Sequence, residues 1–575
     1  MKGKIRVIII TLVVLLAGTG VFLWKMNDIS KKLEAKAEEK LKEERDLIED
    51  QKRKAIDKVK EVDIIPLYLS GDRKNVEMTK FSSVSEIYTT KKSDEVTETL
   101  AAIKRNRNCT PKDPLWAYDP YGTNRNSMYV YFRTSGNCYL RYTISVKDDG
   151  IGDFTRTAYT GGPSVTKEHE YQITGLVAGE KNYIVMNLYN SDDQLSETRI
   201  FSVDVPKSKS GAENRLSTKK GTSKKTISNG LFTVFGKRNA ILFYDNSGVL
   251  RGEIPLEDNT GRNMEQIYDT LTYTAGKSLI VQVDFLGKVV KTHKLKGYTQ
   301  SGDFIYDGSG SLYVIATAKK KKAAPKSKVI QVTLENSAID EMVDMDTVLK
   351  SVYEKARKKA HKKNVDWIGI DSIQLVGSNA LLISSKKLSS IIKVSGIGSL
   401  VPKLNYIIAD KKLYKGYDKK LRKKVLKKLE DESAAAEATE EPRNILKKPV
   451  KQDPFPSFFG PEMISYKKKG AEGQYTLRMF AAKAGDTEKG DGNSYYLTYV
   501  VDEVAGTYDL KKKYKVAQTK KDGNYISNGD QYIYCCSDGN FFTESDTTGR
   551  VLKDFMMSDR PYRVYKNDFK QFWFR

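Results

Sequence analysis

Short runs of alternating apolar and polar residues recur along the C-terminal two-thirds of the chain and predict β-strands. Residues 366–394 show the unit most clearly, as three strands separated by a turn at 377–379 and a polar bend at 386–390. Similar units recur about every 40–50 residues, which is the period of β-propeller blades. About six blades fit into residues 228–575, and residues 561–565 could close the ring by joining the first blade.

A second series of short alternating strands precedes this region. Residues 112–206 contain strands separated by turn residues and predict a small β-sandwich. Residues 207–227, rich in Lys, Ser and Gly, are typical of a linker. Residues 411–452 interrupt the blades; they are Lys-rich, then Ala/Glu-rich, and predict an exposed helix followed by a flexible tether. Residues 67–111 show no decisive pattern, so the predicted fold class is mainly β.

The N-terminus carries the pattern of a membrane anchor. Basic residues precede an uncharged run over residues 7–24, which is long enough to span a bilayer. A cleaved signal peptide is the alternative, but Trp24 suits a membrane interface. We therefore expect a single-pass signal anchor over residues 1–27 in the plasma membrane, with the bulk of the chain extracytoplasmic. Residues 28–65 predict a charged helical stalk, solitary rather than a coiled-coil dimer because one heptad seam is charged. The oligomeric state stays open.

Composition narrows the classes of partner. The formal net charge is +25, spread over Lys-rich runs without a nucleic-acid-binding motif, so no nucleic acid is expected. The positive charge either forms a solvated surface or attracts polyanions such as anionic cell-wall polymer. Cys109 and Cys138 could form a disulfide, although buried free thiols are the default for all four cysteines. The cysteine spacings do not match a zinc site, and no cofactor is predicted.

The opening of residues 366–394 resembles a motif of the arylsulfate sulfotransferases. In that family the blade begins Asp-Trp-x-His-x-Asn-Ser and continues, after a turn, to Ser-Ser-Arg. The matching residues here are Asp366, Trp367, Ser372, Ser384 and Ser385. The EHEYQITGL and GEKNYIVMNLY segments of the predicted sandwich are similar to the N-terminal β-domain of the family. The resemblance covers roughly residues 118–575 and implies a small β-domain followed by a six-bladed propeller.

The resemblance also implies a reaction and the positions that would perform it. The family moves a sulfuryl group between phenols through a sulfohistidine, while further histidines and an arginine polarise the sulfate oxygens. The family's catalytic positions correspond here to Gly302, Gly369, Asp371, Lys386 and Glu462. Gly302, Gly369 and Glu462 stand at histidine positions, and Gly369 is expected to leave a void facing the central pocket. His293 and His361, both next to lysines, are expected on the surface.

Three hypotheses follow, and whether the chain is an enzyme stays open. The leading hypothesis is a membrane-anchored extracellular propeller that has lost the histidine chemistry and binds a small aromatic or sulfated ligand. The second is an active sulfotransferase with another nucleophile, such as Tyr298, Tyr466 or a carboxylate. The third is a structural envelope protein that binds anionic wall polymer. Asp303, Asp371 and Glu462 would form a cation site if they converge, although no metal-ligand spacing supports one.

Overall fold

The computed structural model describes residues 54–57, 59–259, 261–319, 327–361, 365–429, 446–447, 458–481, 494–516 and 522–575. The chain divides into two compact units, Met1–Glu61 and Val62–Arg575. The predicted signal anchor (1–27) and most of the predicted stalk (28–65) lie outside the described residues. None of the helices within the described ranges is long and apolar enough to cross a membrane.

The C-terminal end of the predicted stalk is wrong. Glu61–Asp63 forms a single 3-10 turn, and Ile64–Leu67 forms strand β1. This strand pairs in parallel with residues 200–203. The β-branched Ile64 and Ile65 favour an extended backbone, and Pro66 is tolerated because β1 is the edge strand of its sheet.

A small β domain follows. Its strands are β1 (Ile64–Leu67), β2 (Glu77–Met78), β3 (Leu115–Tyr118), β4 (Ser127–Val146), β5 (Phe154–Thr157), β6 (Thr166–Thr174), β7 (Lys181–Asn190) and β8 (Leu195–Asp204). The 20-residue β4 pairs with β3 and β6 through its first half, and with β5 and β7 through its second half. Trp116 of β3 packs against Phe201 of β8 with ring centroids 5.1 Å apart, so the two halves share one core.

Residues 67–111, which lacked a decisive pattern, contain two helices, Val84–Ile87 and Thr90–Asn106. The Thr89 hydroxyl caps the longer helix by accepting a hydrogen bond from the Lys92 amide. Val96 and Leu100 are buried, four residues apart on one face of this helix. The four-residue spacing of Val96 and Leu100 is typical of a helix, but the charged residues around them obscure the pattern in the sequence.

The propeller strands follow in chain order. They are β9 (Ser217–Lys220), β10 (Leu231–Phe235), β11 (Ala240–Tyr244), β12 (Leu250–Pro255), β13 (Met264–Ile267), β14 (Thr270–Gly276), β15 (Leu279–Val283), β16 (Val289–Lys294), β17 (Tyr298–Tyr306), β18 (Ser311–Ala318), β19 (Lys328–Thr333), β20 (Ile339–Asp344), β21 (Ile370–Val376), β22 (Ala380–Ser385), β23 (Ser390–Ser395), β24 (Lys403–Ile408), β25 (Lys427–Lys428), β26 (Leu446–Lys447), β27 (Pro461–Lys468), β28 (Gln474–Ala481), β29 (Ser494–Asp502), β30 (Thr507–Val516), β31 (Gly523–Asn528), β32 (Gln531–Cys536), β33 (Phe541–Asp546), β34 (Val551–Met556) and β35 (Arg563–Asn567).

Within the described residues these strands form six blades, as predicted. Blade 1 is β35-β10-β11-β12, blades 2 to 4 are β13–β16, β17–β20 and β21–β24, blade 5 is built on β27–β30, and blade 6 is β31–β34. The first strands of successive blades contact one another: β17 contacts β21, β21 contacts β27, β27 contacts β31, and β31 contacts β35. These inner strands therefore surround the central axis.

The predicted ring closure is confirmed. The last strand, β35, pairs antiparallel with β10, so the C-terminal part of the chain supplies the inner strand of the first blade. A β-sheet edge that would otherwise stay unpaired is thereby covered.

Two predicted segments differ from the structure. The linker at residues 207–227 contains β9, which extends blade 6 by pairing with β34, and Leu216 is buried beside it. The insertion at residues 411–452 begins with a 3-10 turn, Lys411–Tyr414, and a short helix, Lys419–Arg422. Tyr414 and Leu421 are buried in the core of blade 4. Single apolar residues can therefore anchor a Lys-rich segment to a hydrophobic core. Most of the later part of the insertion lies outside the described residues.

Two further helices complete the described secondary structure. These are Met345–Val348 and Lys350–Ala360, between blades 3 and 4.

Candidate functional site

Charged side chains from all six blades meet near the starts of the inner strands. Blade 1 contributes Tyr562 and Arg563, blade 3 Asp303, blade 4 Asp371 and Lys386, and blade 5 Glu462, while Arg262 and Asp522 lie just before blades 2 and 6. We call this group the axial network. The inner strands are predominantly apolar, but their ends converge on the propeller axis. Polar residues at these ends are therefore brought together.

Arg563 and Asp371 form the buried centre of the axial network. Arg563 Nη2 lies 2.6 Å from Asp371 Oδ2, and both side chains are almost completely inaccessible to solvent. Arg563 Nη1 donates a hydrogen bond to the Gly523 carbonyl at 2.6 Å, and the Met463 amide donates to Asp371 Oδ2 at 3.0 Å. The inner strands of blades 1, 4, 5 and 6 are thus joined through one ion pair.

Lys386 forms the second centre. Its ammonium lies 2.6 Å from Glu462 Oε1, 3.3 Å from Asp522 Oδ1 and 3.8 Å from Asp371 Oδ1. Burial lowers the pKa of Lys386, but Asp371 and Glu462 outweigh burial and hold it above its usual range. Lys386 stands at the arginine position of the family motif. Its ammonium group already interacts with three carboxylates, so Lys386 is not free to bind a sulfate.

The carboxyl groups of the network differ in pKa. Burial raises the pKa of Asp303 to about 6 and that of Glu462 to about 7. Burial also acts on Asp371, but Arg563, Lys386 and Arg262 together hold its pKa well below the usual range. Asp371 is therefore the permanent anion, while Asp303 and Glu462 titrate in the range where cells operate.

Two members of the network lack a partner. Asp303 is only 4% exposed, and it forms no hydrogen bond or ion pair with any described residue. The guanidinium of Arg262 likewise has no hydrogen-bonding or ion-pairing partner within the described ranges, and its carbon lies 4.4 Å from the centre of the Tyr562 ring. The backbone segments that carry the two residues are adjacent, because Asn263 Nδ2 donates a hydrogen bond to the Phe304 carbonyl at 2.9 Å.

The residues that match the family motif hold the backbone of blade 4. Ser372 Oγ bonds Ser384 Oγ at 2.9 Å and accepts the Ile464 amide of blade 5. The Trp367 indole N–H donates to Asp346 Oδ1 at 2.7 Å. The Gly369 amide donates to Asp366 Oδ1 at 3.1 Å. These matches therefore have structural roles that do not depend on catalysis.

The expected void at Gly369 is wrong. Gly369 precedes β21 in a left-handed backbone conformation with φ +56°, and a Cβ there would meet Lys387 Cγ at 3.2 Å. A side chain at Gly302 would meet Ile315 Cδ1 at 2.7 Å and the Asp371 carbonyl oxygen at 3.1 Å. The strand alternation that suggested an inward-facing position does not hold here, because a β-bulge interrupts the register between Ile370 and Ile373.

The histidines lie elsewhere in the described structure. His293 is buried on β16, contrary to the prediction of a surface position, and its ring nitrogens contact Ser337 Oγ at 2.8 Å and Gln282 Oε1 at 3.1 Å. Strand pairing turns it inward despite its lysine neighbours. His361 is exposed at a helix end, as predicted. His169 belongs to the small β domain, where it contacts Cys138 Sγ at 3.3 Å.

The other predicted chemistry separates from the network. Tyr298 donates to Glu341 within blade 3, and Tyr466 packs against Tyr475 within blade 5. Cys109 and Cys138 are both buried and are not joined by a disulfide. Asp303, Asp371 and Glu462 do converge, but among the described residues no group of three or more His, Cys, Asp or Glu side chains is arranged to hold a metal ion.

Sequence reasoning placed Gly302, Gly369, Asp371, Lys386 and Glu462 near the site, and it missed half of the network. Arg262, Asp522, Tyr562 and Arg563 carry no motif. Their one signal was position, since Tyr562 and Arg563 lie in the segment predicted to close the ring. The structure therefore has a compact network of acids and bases where the sequence predicted a void at a lost histidine position.

Comparison with protein families gives two matches. The model described as Arylsulfotransferase (ASST) matches residues 216–556, more than half of the chain. The model described as Arylsulfotransferase Ig-like domain matches residues 115–206. No curated protein matches the chain.

Solved structures align only distantly. A putative 6-phosphogluconolactonase from Bacteroides fragilis is 12% identical with a TM-score of 0.30, and the alignment covers 60% of this chain and 100% of that one. The virginiamycin B lyase from Staphylococcus aureus is 10% identical with a TM-score of 0.27, covering 60% and 99%. Likenesses at this level carry no information about activity.

Proposed function

The chain belongs to the arylsulfotransferase family, and from this premise we propose that it is a binding member of the family that does not transfer sulfuryl groups. The observation that carries the proposal is the axial network. Acidic side chains converge at the propeller axis, and the cations Arg563 and Lys386 are engaged by them.

The electrostatics of the network support this proposal. An aryl sulfate brings a negative charge, and the transition state of its transfer needs donors that are free to stabilise the departing oxygen. Asp303, Asp371 and Glu462 would repel that charge in a site of low dielectric. The two terminal nitrogens of Arg563 already bind the Gly523 carbonyl and Asp371, so a sulfate bound by both would have to displace buried protein contacts.

Among the residues of the axial network, Tyr562 is the candidate for an alternative nucleophile. Its hydroxyl lies 3.5 Å from Asp371 Oδ1, which could accept its proton. Burial raises the pKa of Tyr562 above its usual value, and Arg262 offsets this only in part, so the phenol stays protonated near neutral pH. Asp371 is a weak base because its own pKa is depressed. This pair therefore favours a structural hydrogen bond over nucleophilic attack.

The assay for this proposal uses the purified full-length protein, an aryl sulfate donor and a phenol acceptor, beside an active arylsulfotransferase as positive control. We expect phenol release no faster than in buffer, and no sulfated protein by intact mass spectrometry. Turnover with an isolable sulfated residue would overturn the proposal, and the modified residue would then identify the nucleophile.

We further propose that the protein is anchored in the plasma membrane with its propeller outside the cytoplasm. The support is the uncharged run at residues 7–24 with basic residues before it. Protease added to intact cells should degrade the propeller, and alkaline carbonate should leave the chain in the membrane fraction. Protection from protease in intact cells, or release by carbonate, would contradict this arrangement.

The net charge of +25 supports a second candidate function, which is attachment to an anionic cell-wall polymer. Such binding should weaken steeply as the salt concentration rises, because exposed charges are screened. Sedimentation of the full-length protein with isolated cell walls over a salt series measures this. Wall retention that does not change at high salt would rule out an electrostatic attachment.

A further inference from the structure

The axial network leaves one anion and one cation without a partner, and they come from neighbouring blades. Asp303 lies on the inner strand of blade 3, and Arg262 lies just before the inner strand of blade 2. The two do not form an ion pair with each other, although each affects the ionisation of the other. The inference drawn from them rests on the proposed binding function of this site.

Asp303 is the stronger indicator of a ligand. A buried carboxylate is normally hydrogen-bonded or paired, because removing it from water without a partner is costly. Asp303 is 4% exposed, and its Oδ1 atom has no hydrogen-bond partner among the described residues. The neighbouring Ser301 hydroxyl is also buried and unpartnered. The site therefore offers acceptor atoms to a group that can donate several hydrogen bonds.

Arg262 provides the complementary half. Its guanidinium carbon lies 4.4 Å from the centre of the Tyr562 ring, a cation–π contact that leaves its N–H donors without a hydrogen-bond partner among the described residues. A planar guanidinium of this kind suits a carboxylate, to which it can donate two parallel hydrogen bonds. The other cations of the network, Arg563 and Lys386, already form ion pairs with Asp371 and Glu462, whereas Arg262 forms none with any described residue.

We propose that the axial network binds a small zwitterion of the α-amino acid type, with its ammonium group on Asp303 and its carboxylate on Arg262. A zwitterion satisfies both unpartnered charges and adds no net charge to the site. A simple anion such as sulfate would pair with Arg262 but face the carboxylates of Asp303 and Asp371. A simple amine would satisfy Asp303 and leave Arg262 unpaired.

Isothermal titration calorimetry on the full-length protein tests this assignment with three matched sets of probes. Each set contains an amino acid, the amine lacking its carboxylate and the acid lacking its ammonium: glycine with methylamine and acetate, L-leucine with isopentylamine and 4-methylpentanoate, and L-phenylalanine with phenethylamine and 3-phenylpropanoate. Sulfate is the additional anion. We expect at least one amino acid to bind, and to bind about tenfold or more tightly than its matched amine and acid.

Variants connect the binding to the two residues. Asp303→Asn and Arg262→Gln should each weaken amino acid binding by about tenfold or more, since each removes a charged hydrogen-bond partner. Asp340→Asn, an exposed change on the outer strand of the same blade, and Arg357→Gln, an exposed change on a helix, should leave the affinity unchanged. Thermal unfolding of each variant shows that it is folded, and Asp303→Asn should unfold no earlier than the parent.

Several outcomes would overturn the inference. These are the absence of binding by every amino acid probe, equal binding by an amine or acid of the same set, sulfate binding that depends on Arg262 but not on Asp303, and amino acid binding that survives both variants. The sulfuryl-transfer assay separates this result from the proposed function. Lack of amino acid binding without aryl sulfate turnover would remove only the ligand assignment, whereas turnover would remove the binding proposal itself.

Discussion

Single residues decide how the charges at the propeller axis are tolerated. Arg563 and Asp371 are almost fully buried, and neither has water available as an alternative partner. A buried ion pair contributes little net stability compared with apolar residues, but removal of one member leaves an isolated buried charge. The effect of this ion pair on stability should therefore be measurable when only one of its two residues is substituted.

Arg563→Met tests this role. The substitution keeps the apolar length of the side chain and leaves Asp371 with Lys386, at 3.8 Å, as its remaining ion-pair partner among the described residues. We expect the free energy of unfolding, measured with urea, to fall by about 3 kcal/mol or more. The double variant Arg563→Met, Asp371→Asn should recover part of the loss, because Asp371 then leaves no carboxylate whose partner has been removed.

The matched control is Lys387→Met, which breaks the neighbouring ion pair with Asp366. The side chains of that pair are 50% and 30% exposed, so the expected loss is less than about 1 kcal/mol. An equal loss in the two single variants would show that burial does not set the cost at the axis.

At the scale of elements, the joint between the first and last blades contains a second buried ion pair. Lys566 on β35 lies 2.5 Å from Glu544 on β33, and neither side chain is exposed. The Lys566 ammonium also lies 4.2 Å from the centre of the Phe232 ring. The Ser228 amide approaches Glu544 Oε1 at 3.3 Å, so the pair joins β35 to blade 6 at the closure of the ring.

Burial lowers the pKa of Lys566 from 10.5 to about 8, although Glu544 acts in the opposite direction and Lys553 adds to the lowering. Between about pH 8 and pH 10.5 the unfolded chain therefore retains a proton that the folded protein has released. The contribution of Lys566 to the unfolding free energy should rise with pH across this window. The double variant Lys566→Met, Glu544→Gln lacks this titration and serves as the reference.

Urea unfolding at pH 8, 9 and 10 measures the effect. The difference in unfolding free energy, parent minus double variant, should increase with pH, while tyrosines and other lysines contribute equally to both proteins. A difference that stays constant from pH 8 to pH 10 would show that Lys566 keeps an ordinary pKa despite its burial.

At the scale of the whole molecule, the residues after β35 connect the propeller to the small β domain. The Tyr159 amide donates to the Trp573 carbonyl at 3.2 Å, and the Arg575 amide donates to the Thr157 carbonyl at 3.0 Å. The Trp573 ring packs on Phe243 of blade 1 with centroids 5.5 Å apart. This segment therefore contacts both the small domain and the propeller, and Phe574 adds a ring contact with Phe154 of the small domain at 6.1 Å.

Trp573→Ala should lower the free energy of unfolding by about 3–5 kcal/mol, because a large buried aromatic is replaced by a cavity. Calorimetry should also show the small β domain and the propeller unfolding less cooperatively than in the parent. Leu400→Ala, at a fully exposed apolar residue, is the control and should change stability by less than about 0.5 kcal/mol. An unchanged single transition in Trp573→Ala would mean that the tail does not couple the domains.

Local periodicity was sufficient to predict the propeller. Alternation of apolar and polar residues identified the blades, and the position of residues 561–565 identified the closing strand, because both depend on patterns a few residues long. The family motif also located Asp371 and Lys386. The same reasoning failed at residues 64–65 and 217–220, where single short strands are added to sheets whose other strands lie far away in the sequence.

Only the tertiary structure decided which charges meet. Arg563 and Asp371 lie 192 positions apart, and no local pattern relates them. The bulge after Ile370 and the left-handed backbone of Gly369 disrupt the regular in–out alternation of side chains at the start of blade 4. The direction of the side chains there could therefore not be predicted from the sequence. The sequence determined the strands and their order. Ring closure forces the six inner strands toward one axis, and it therefore determined which side chains meet there. The sequence alone could not show this, because contacts at the axis depend on the register and direction of strands in different blades.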